Sequence, residues 1–214
     1  MNILRPQLQT PAQWRLKPLW LKALVFISSA MPLGWYAFGI QADSLGANPI
    51  EAITRGLGTW ALNFLLMTLA ATPLKHFAHW TWPLLIRRML GLFAFFYASL
   101  HLLSYLWFDQ FFDWPSIIKD IFKRPFITVG MATFLLLCPL AMTSTDGAIR
   151  RLGLPRWKKL HRLVYLAGIL AVLHYFWMVK ADMRTPLMYA VGLTLLLGLR
   201  AVWLLHKHRR PNRQ

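Results

Sequence analysis

Six long apolar runs, separated by short polar or basic stretches, set the pattern of this chain. They fall at approximately 20–40, 56–74, 89–108, 125–143, 162–180 and 186–205, and each is close to the roughly 20 residues a helix needs to cross a bilayer core. Backbone polar groups in lipid must be satisfied within the segment, so these runs predict transmembrane helices. The first run is too long and too interrupted by Pro and Gly for a simple signal peptide, and it is expected to stay as a helix. The connection near 109–124 (DQFFDWPSIIKD) is aromatic and acidic, which predicts a short amphipathic helix along the membrane interface. The expected fold is an all-α integral membrane protein. A six-helix transmembrane bundle over 20–205 lies between a basic arm, 1–19, and a basic tail, 206–214.

Composition supports the membrane reading. Of the 214 residues 57% are hydrophobic and only 14% charged, against roughly a quarter charged in a soluble domain. The 11 tryptophans suit a protein with two membrane interfaces. A net charge of +17 raises the question of nucleic acid, but the charges avoid the apolar runs and gather at alternate ends of them. That distribution orients a membrane protein; no nucleic-acid partner is expected, and the lipid bilayer is.

With six spans both termini face one side. That side carries Arg5, Arg15, Lys17 and Lys22, then Lys75, Arg87 and Arg88, then the cluster from Arg150 to Arg162, and finally Arg200, Lys207, Arg209, Arg210 and Arg213. Together these are 18 of the 24 basic residues, which predicts cytoplasmic N- and C-termini in a bacterial inner membrane. The single cysteine, Cys138, lies in an apolar run, reads as core filler and excludes an intramolecular disulfide.

Candidate chemistry sits on the histidines. An ionisable group inside a bilayer is costly, so its presence marks a site by default. His101 and His174 each stand twelve positions from the inner ends of their helices, at 89 and 162, or about 18 Å deep. Two imidazoles at one level on two helices have the placement to clamp a haem iron from both sides. No C-x-x-C-H motif is present, so such a haem is non-covalent, of b type. No carboxylate or thiolate shares that depth, which argues against zinc.

His161 lies 13 positions before His174, about 20 Å lower, and is a candidate for a second, inner haem. Thirteen steps of about 100° leave the two rings roughly 140° apart on an ideal helix, so a shared face requires a departure from ideal geometry near His161. Gly168, between them, admits either a flat macrocycle or close helix packing. His76 and His79 read as loop residues, and His206 and His208 as part of the basic tail. Arg87 and Arg88 read first as orienting charges and second as groups for propionate, flavin or quinone-associated anions.

Two segments carry a resemblance: RRMLGLFAFFYASLHLLSY (87–105) and PLAMTSTDGAIRRLGLPRWKKLHRLVYLAGILAVLHYFW (139–177). They resemble the MsrQ (YedZ) family, haem-binding membrane subunits of a periplasmic methionine sulfoxide reductase system within the ferric-reductase-like transmembrane group. The similarity spans residues 15–205. By motif position the family's haem histidines match His101, His161 and His174. Members of the wider group draw two histidines from each of two helices, whereas here Arg88 stands near the inner position on the third helix. The resemblance further implies FMN, electrons from the quinone pool, and delivery to MsrP, a molybdopterin-containing periplasmic catalytic subunit.

The expected function is a membrane b-type cytochrome, with one haem or two, that carries electrons outward. It has no nucleotide-binding fold of its own, so donor and acceptor are other molecules. A transmembrane ferric or other metal reductase is the alternative within redox chemistry. A small transporter with a histidine proton relay is the alternative outside it.

Overall fold

The computed structural model describes residues 11–209, with side chains described for 19–206. Arg5, Arg15 and Lys17 of the basic arm, and Lys207, His208, Arg209, Arg210 and Arg213 of the tail, lie outside the described side chains. Among the described residues the chain is helical and has no strand. In order the helices are α1 (Pro11–Gln41), α2 (Pro49–Phe77), α3 (Pro83–Ser104), α4 (Trp114–Lys123), α5 (Pro125–Met142), α6 (Asp146–Leu152), α7 (Leu154–Leu160), α8 (Leu163–Met178) and α9 (Arg184–Arg209). Six segments are long and apolar enough to cross a membrane: Leu19–Gln41, Pro49–Phe77, Pro83–Asp109, Pro125–Met142, Leu154–Met178 and Arg184–His206. The expected all-α, six-helix membrane bundle is therefore found.

Several helices start where proline allows. Pro stands at one of the first two positions of α2, α3, α4, α5 and α7, where a missing N–H breaks no helical hydrogen bond and φ is already set. At α2 the Asn48 side chain also accepts from Glu51 N–H and donates to the Glu51 carboxylate. This reciprocal cap, with the Arg55–Glu51 pair one turn on, carries the helix seven residues beyond the apolar run that begins at 56. The third span ends in a π turn, Tyr105–Asp109. The 109–124 connection contains the expected short helix, α4, with Ile117 buried against the bundle and Phe122 83% exposed.

Two antiparallel pairs dominate the packing: α2 with α3, and α5 with α8. Contacts of α3 with α5 and of α2 with α8 bring the pairs together, and α9 covers α2 and α8. The core runs through Leu57, Phe64, Leu65, Leu69, Phe93, Ala94, Tyr97, Leu137, Ala167 and Leu193. Phe64 stacks on both Phe93 and Tyr97, at centroid distances of 5.6 and 5.3 Å. Gly168 serves packing: a Cβ there would stand 3.2 Å from Leu69 Cδ1 and 3.4 Å from Leu193 Cδ1. Two tyrosines tie helices together through their hydroxyls. Tyr189 donates to Asn63 (2.7 Å), and the fully buried Tyr97 donates to the Ser29 carbonyl of α1 (2.7 Å).

Apart from the Tyr97 bond, α1 has sparse contacts with the bundle. Interhelical hydrogen bonds in membrane proteins contribute about 0.6–2 kcal/mol. Tyr97→Phe should therefore lower stability by about that amount, measured as a shift in thermal unfolding in detergent, with the ring stacking retained.

Candidate functional site

His101 and His174 meet inside the bundle. Their ring centroids are 6.1 Å apart with planes at 73°. His101 is on the last turn of α3 and His174 on the last turn but one residue of α8, at the end of the bundle where α2 and α5 begin. The equal depths read from the sequence are met in space.

Each ring is held by the other helix of its pair. His101 Nδ1 lies 2.8 Å from the Thr54 carbonyl of α2, and His174 Nδ1 lies 2.6 Å from the Phe126 carbonyl of α5. A carbonyl has no proton to give, so Nδ1 carries the hydrogen on both rings and Nε2 keeps its lone pair. The same arrangement thus occurs twice, across sequence separations of 47 and 48 residues.

One turn beyond each carbonyl is a glycine facing the ring. A Cβ at Gly58 would stand 3.1 Å from the His101 ring, and one at Gly130 would stand 2.8 Å from the His174 ring. The two glycines let the imidazoles lie against the neighbouring backbone. Thr54, Phe126, Gly58 and Gly130 were not singled out from the sequence. The signal available was a T-x-x-x-G and an F-x-x-x-G near the start of the second and fourth spans, a pattern too common in membrane helices to stand out alone.

Both rings line a cavity of about 540 Å³, within the range of cofactor sites. Its inner wall is apolar, with Leu62, Leu65, Phe134, Leu137 and Ala171; its mouth is polar, with Glu51, Arg55, Tyr105, Gln110 and Arg124. Thr54 Oγ1, also in the wall, is buried without a hydrogen-bond partner among the described residues. Neutral imidazoles whose Nε2 atoms have no hydrogen-bond partner among the described residues, beside an apolar cavity wall, fit the nitrogen donors that would hold a haem iron. With metal–nitrogen bonds of about 2 Å, two rings sharing one metal have centroids about 6 Å apart. Among the described residues no group of three or more His, Cys, Asp or Glu forms a separate metal cluster.

His161 is not part of this pair. It caps the end of α7, where the helix breaks before α8 resumes at Leu163, so the departure from ideal geometry that a shared face required is present. Its Nε2 lies 3.0 Å from Thr143 Oγ1 and its ring stacks on Trp157 at 4.0 Å. Trp157 in turn donates to the Thr143 carbonyl (2.8 Å). These contacts clip the start of α8 to the end of α5.

Cations surround the same end. Arg87, half-buried, lies near Tyr165, and Arg200 lies over the Tyr165 ring at 4.7 Å. Arg88 donates to Asp146 (2.7 Å) and holds that exposed carboxyl below its ordinary range, by the hydrogen bond first and by charge attraction second. Of the remaining histidines, His76 stacks on Trp203 (4.1 Å), His79 is exposed, and His206 lies against the Val202 carbonyl of its own helix.

Comparison with known proteins bears on this arrangement. The profile of the ferric reductase like transmembrane component matches residues 57–172, which contain His101 and His161 and end two residues before His174. A curated relative from Rhodospirillum rubrum is 58% identical over 86% of this chain and 89% of its own length. Those from Azospira oryzae (55%, covering 85% and 78%) and Herminiimonas arsenicoxydans (50%, covering 90% and 89%) are similarly close. All three are named protein-methionine-sulfoxide reductase heme-binding subunit MsrQ. The chain belongs to the MsrQ family. Its residues 57–172 carry the ferric-reductase-like transmembrane region, and its six apolar helices make it a multi-pass membrane protein.

The glycine seats generate a graded prediction. Gly130→Ala drives a methyl group into a ring fixed by a 2.6 Å hydrogen bond, whereas Gly58→Ala meets its ring at a tighter-than-usual but tolerable 3.1 Å. Gly130→Ala should lose about 1–3 kcal/mol of stability, as overpacking does, and Gly58→Ala less. Thermal unfolding of the two variants side by side is the measurement.

Proposed function

We propose that this chain is a b-type cytochrome subunit that carries electrons across the bacterial inner membrane to a periplasmic methionine sulfoxide reductase. One observation carries the reading: two imidazoles on separate helices, 6.1 Å apart, each with Nδ1 tied to a backbone carbonyl, over an apolar cavity. The names of the relatives supply the haem and the sulfoxide reductase system.

In this reading His101 and His174 would hold one haem b through their Nε2 atoms. A haem so held supplies reversible one-electron chemistry at iron. The chain supplies the rest. The Thr54 and Phe126 carbonyls fix the tautomer and orientation of the rings, the outer partners that metal-bound imidazoles generally have. Leu62, Leu65, Phe134 and Leu137 keep water from the inner wall. A second haem at His161 would require Nε2 to leave Thr143, so the geometry favours a single haem.

In this reading the termini and the basic clusters face the cytoplasm, by the excess of basic residues at that end, and the histidine pair lies toward the periplasm, on the side of the acceptor. The acceptor in this reading is MsrP, the donor is the quinone pool, and the family resemblance adds FMN as a further redox group. The sulfoxide bond is broken on the partner. A ferric or other metal reductase is the second reading, because the family profile carries that name.

His101→Ala and His174→Ala should each lose most of the haem and the low-spin spectrum while still inserting in the membrane, and His206→Ala should lose none. Unchanged haem spectra in both ligand variants would refute the pairing. In lipid vesicles the reduced protein should reoxidise when MsrP and a Met-sulfoxide peptide are added, and should not reduce the peptide alone. Reoxidation by a ferric chelate but not by MsrP would select the second reading. Reporters fused after Gln214 check the topology: a periplasm-dependent reporter should be silent.

A further inference from the structure

The cavity between His101 and His174 has chemically different ends. Its inner wall is hydrocarbon, whereas its mouth holds the two arginines of the cavity lining, Arg55 and Arg124. They come from opposite helix pairs, and each is anchored beside a ring. Arg55 follows Thr54, whose carbonyl holds His101; Arg124 precedes by two residues Phe126, whose carbonyl holds His174. The duplicated arrangement of carbonyl, glycine and histidine thus extends to a cation on each side.

Neither arginine is committed to a strong partner. Arg55 pairs with Glu51 (2.5 Å) and Arg124 with Asp120 (3.3 Å), each one helical turn back on the same stretch of chain. Both arginine side chains are more than half exposed; the Arg55–Glu51 pair is exposed on both sides and of a kind that contributes little net free energy, whereas Asp120 is only 16% exposed. Exchanging such a carboxylate for another, delivered by a bound group, is nearly neutral for the arginine. It is strongly favourable for a carboxylate that would otherwise stand at the edge of an apolar cavity. The buried and unpartnered Thr54 hydroxyl beside Arg55 offers a donor on the same wall. Asp120 is also the acceptor for Gln110 Nε2 and Tyr105 OH, so it stays satisfied if Arg124 turns away.

We propose that Arg55 and Arg124 bind the two propionate carboxylates of the haem held by His101 and His174. The macrocycle is thereby fixed with its carboxylate edge at the cavity mouth and its hydrocarbon edge toward Leu62, Leu65 and Leu137. This rests on the haem reading above. It assigns the orientation of the group, and places its charged edge on the face from which electrons leave.

The test loads apo-protein with native haem or with haem dimethyl ester, whose carboxylates are methylated and uncharged. Affinity and midpoint potential are measured for the wild type, for an Arg55→Gln/Arg124→Gln double variant and for the corresponding lysine double variant. The wild type should bind the ester roughly tenfold or more weakly than native haem, as loss of a charge-assisted hydrogen bond requires. The glutamine variant should bind the two haems alike, and with native haem its midpoint should fall, because a cation that stabilises the reduced form is gone. The lysine variant should keep part of the discrimination and most of the midpoint, which also controls for misfolding. If the glutamine variant discriminates as the wild type does, with its midpoint unmoved, the propionates lie elsewhere and the proposal is wrong. Failure of the haem reading itself looks different: His101→Ala and His174→Ala would then bind native haem as tightly as the wild type.

Discussion

An imidazole in a membrane interior must satisfy its N–H without water, and the rest of the site follows from how this chain does so. Helical N–H groups are used within their own helix, but a helical carbonyl keeps a second lone pair, and Thr54 and Phe126 offer theirs to His101 and His174. A side chain reaches a neighbouring backbone carbonyl only if the two helices nearly touch. This explains the glycines one turn on, at 58 and 130, and the extensive contact of α2 with α3 and α5 with α8. Once both N–H groups are so occupied, the remaining nitrogens have no polar neighbour to seek except what enters the cavity.

The two ends of the bundle do different work with different chemistry. Around the histidine pair the chain combines neutral rings, an apolar wall and a thin polar mouth. At the other end of α8, His161, Trp157 and Thr143 join α5 to α7, and Arg87, Arg88 and Arg200 gather near Tyr165 and Asp146. The second end holds helices together and accumulates positive charge.

The spans were legible because crossing a bilayer demands a length of apolar sequence whatever the neighbours are. Their edges were less so. Glu51, Arg55, Arg87 and Arg88 look like loop residues by polarity but are helical, through a cap at Asn48 and a proline at 83. The pairing of His101 with His174 followed from depth alone, since helix rise is the same in every sequence. Their seats did not, because Thr54, Gly58, Phe126 and Gly130 matter only through contact between helices, which no single segment encodes. The phase of His161 relative to His174 was open for a related reason: the helix breaks after Leu160 and resumes at Leu163, and periodicity alone does not locate such a break.

The twofold occurrence of carbonyl, glycine and histidine also governs which changes of length the chain can absorb. What each unit fixes is the register between two helices, and the connecting residues enter only by joining them. Insertions between Phe77 and Pro83 lengthen a loop and leave both seats as they are. One residue inserted between Gly130 and the end of α5 would turn the remaining face by about 100° and strip the contacts that hold His174's helix in place. Drift in this protein is thus free in its turns and nearly forbidden within two short windows of helix.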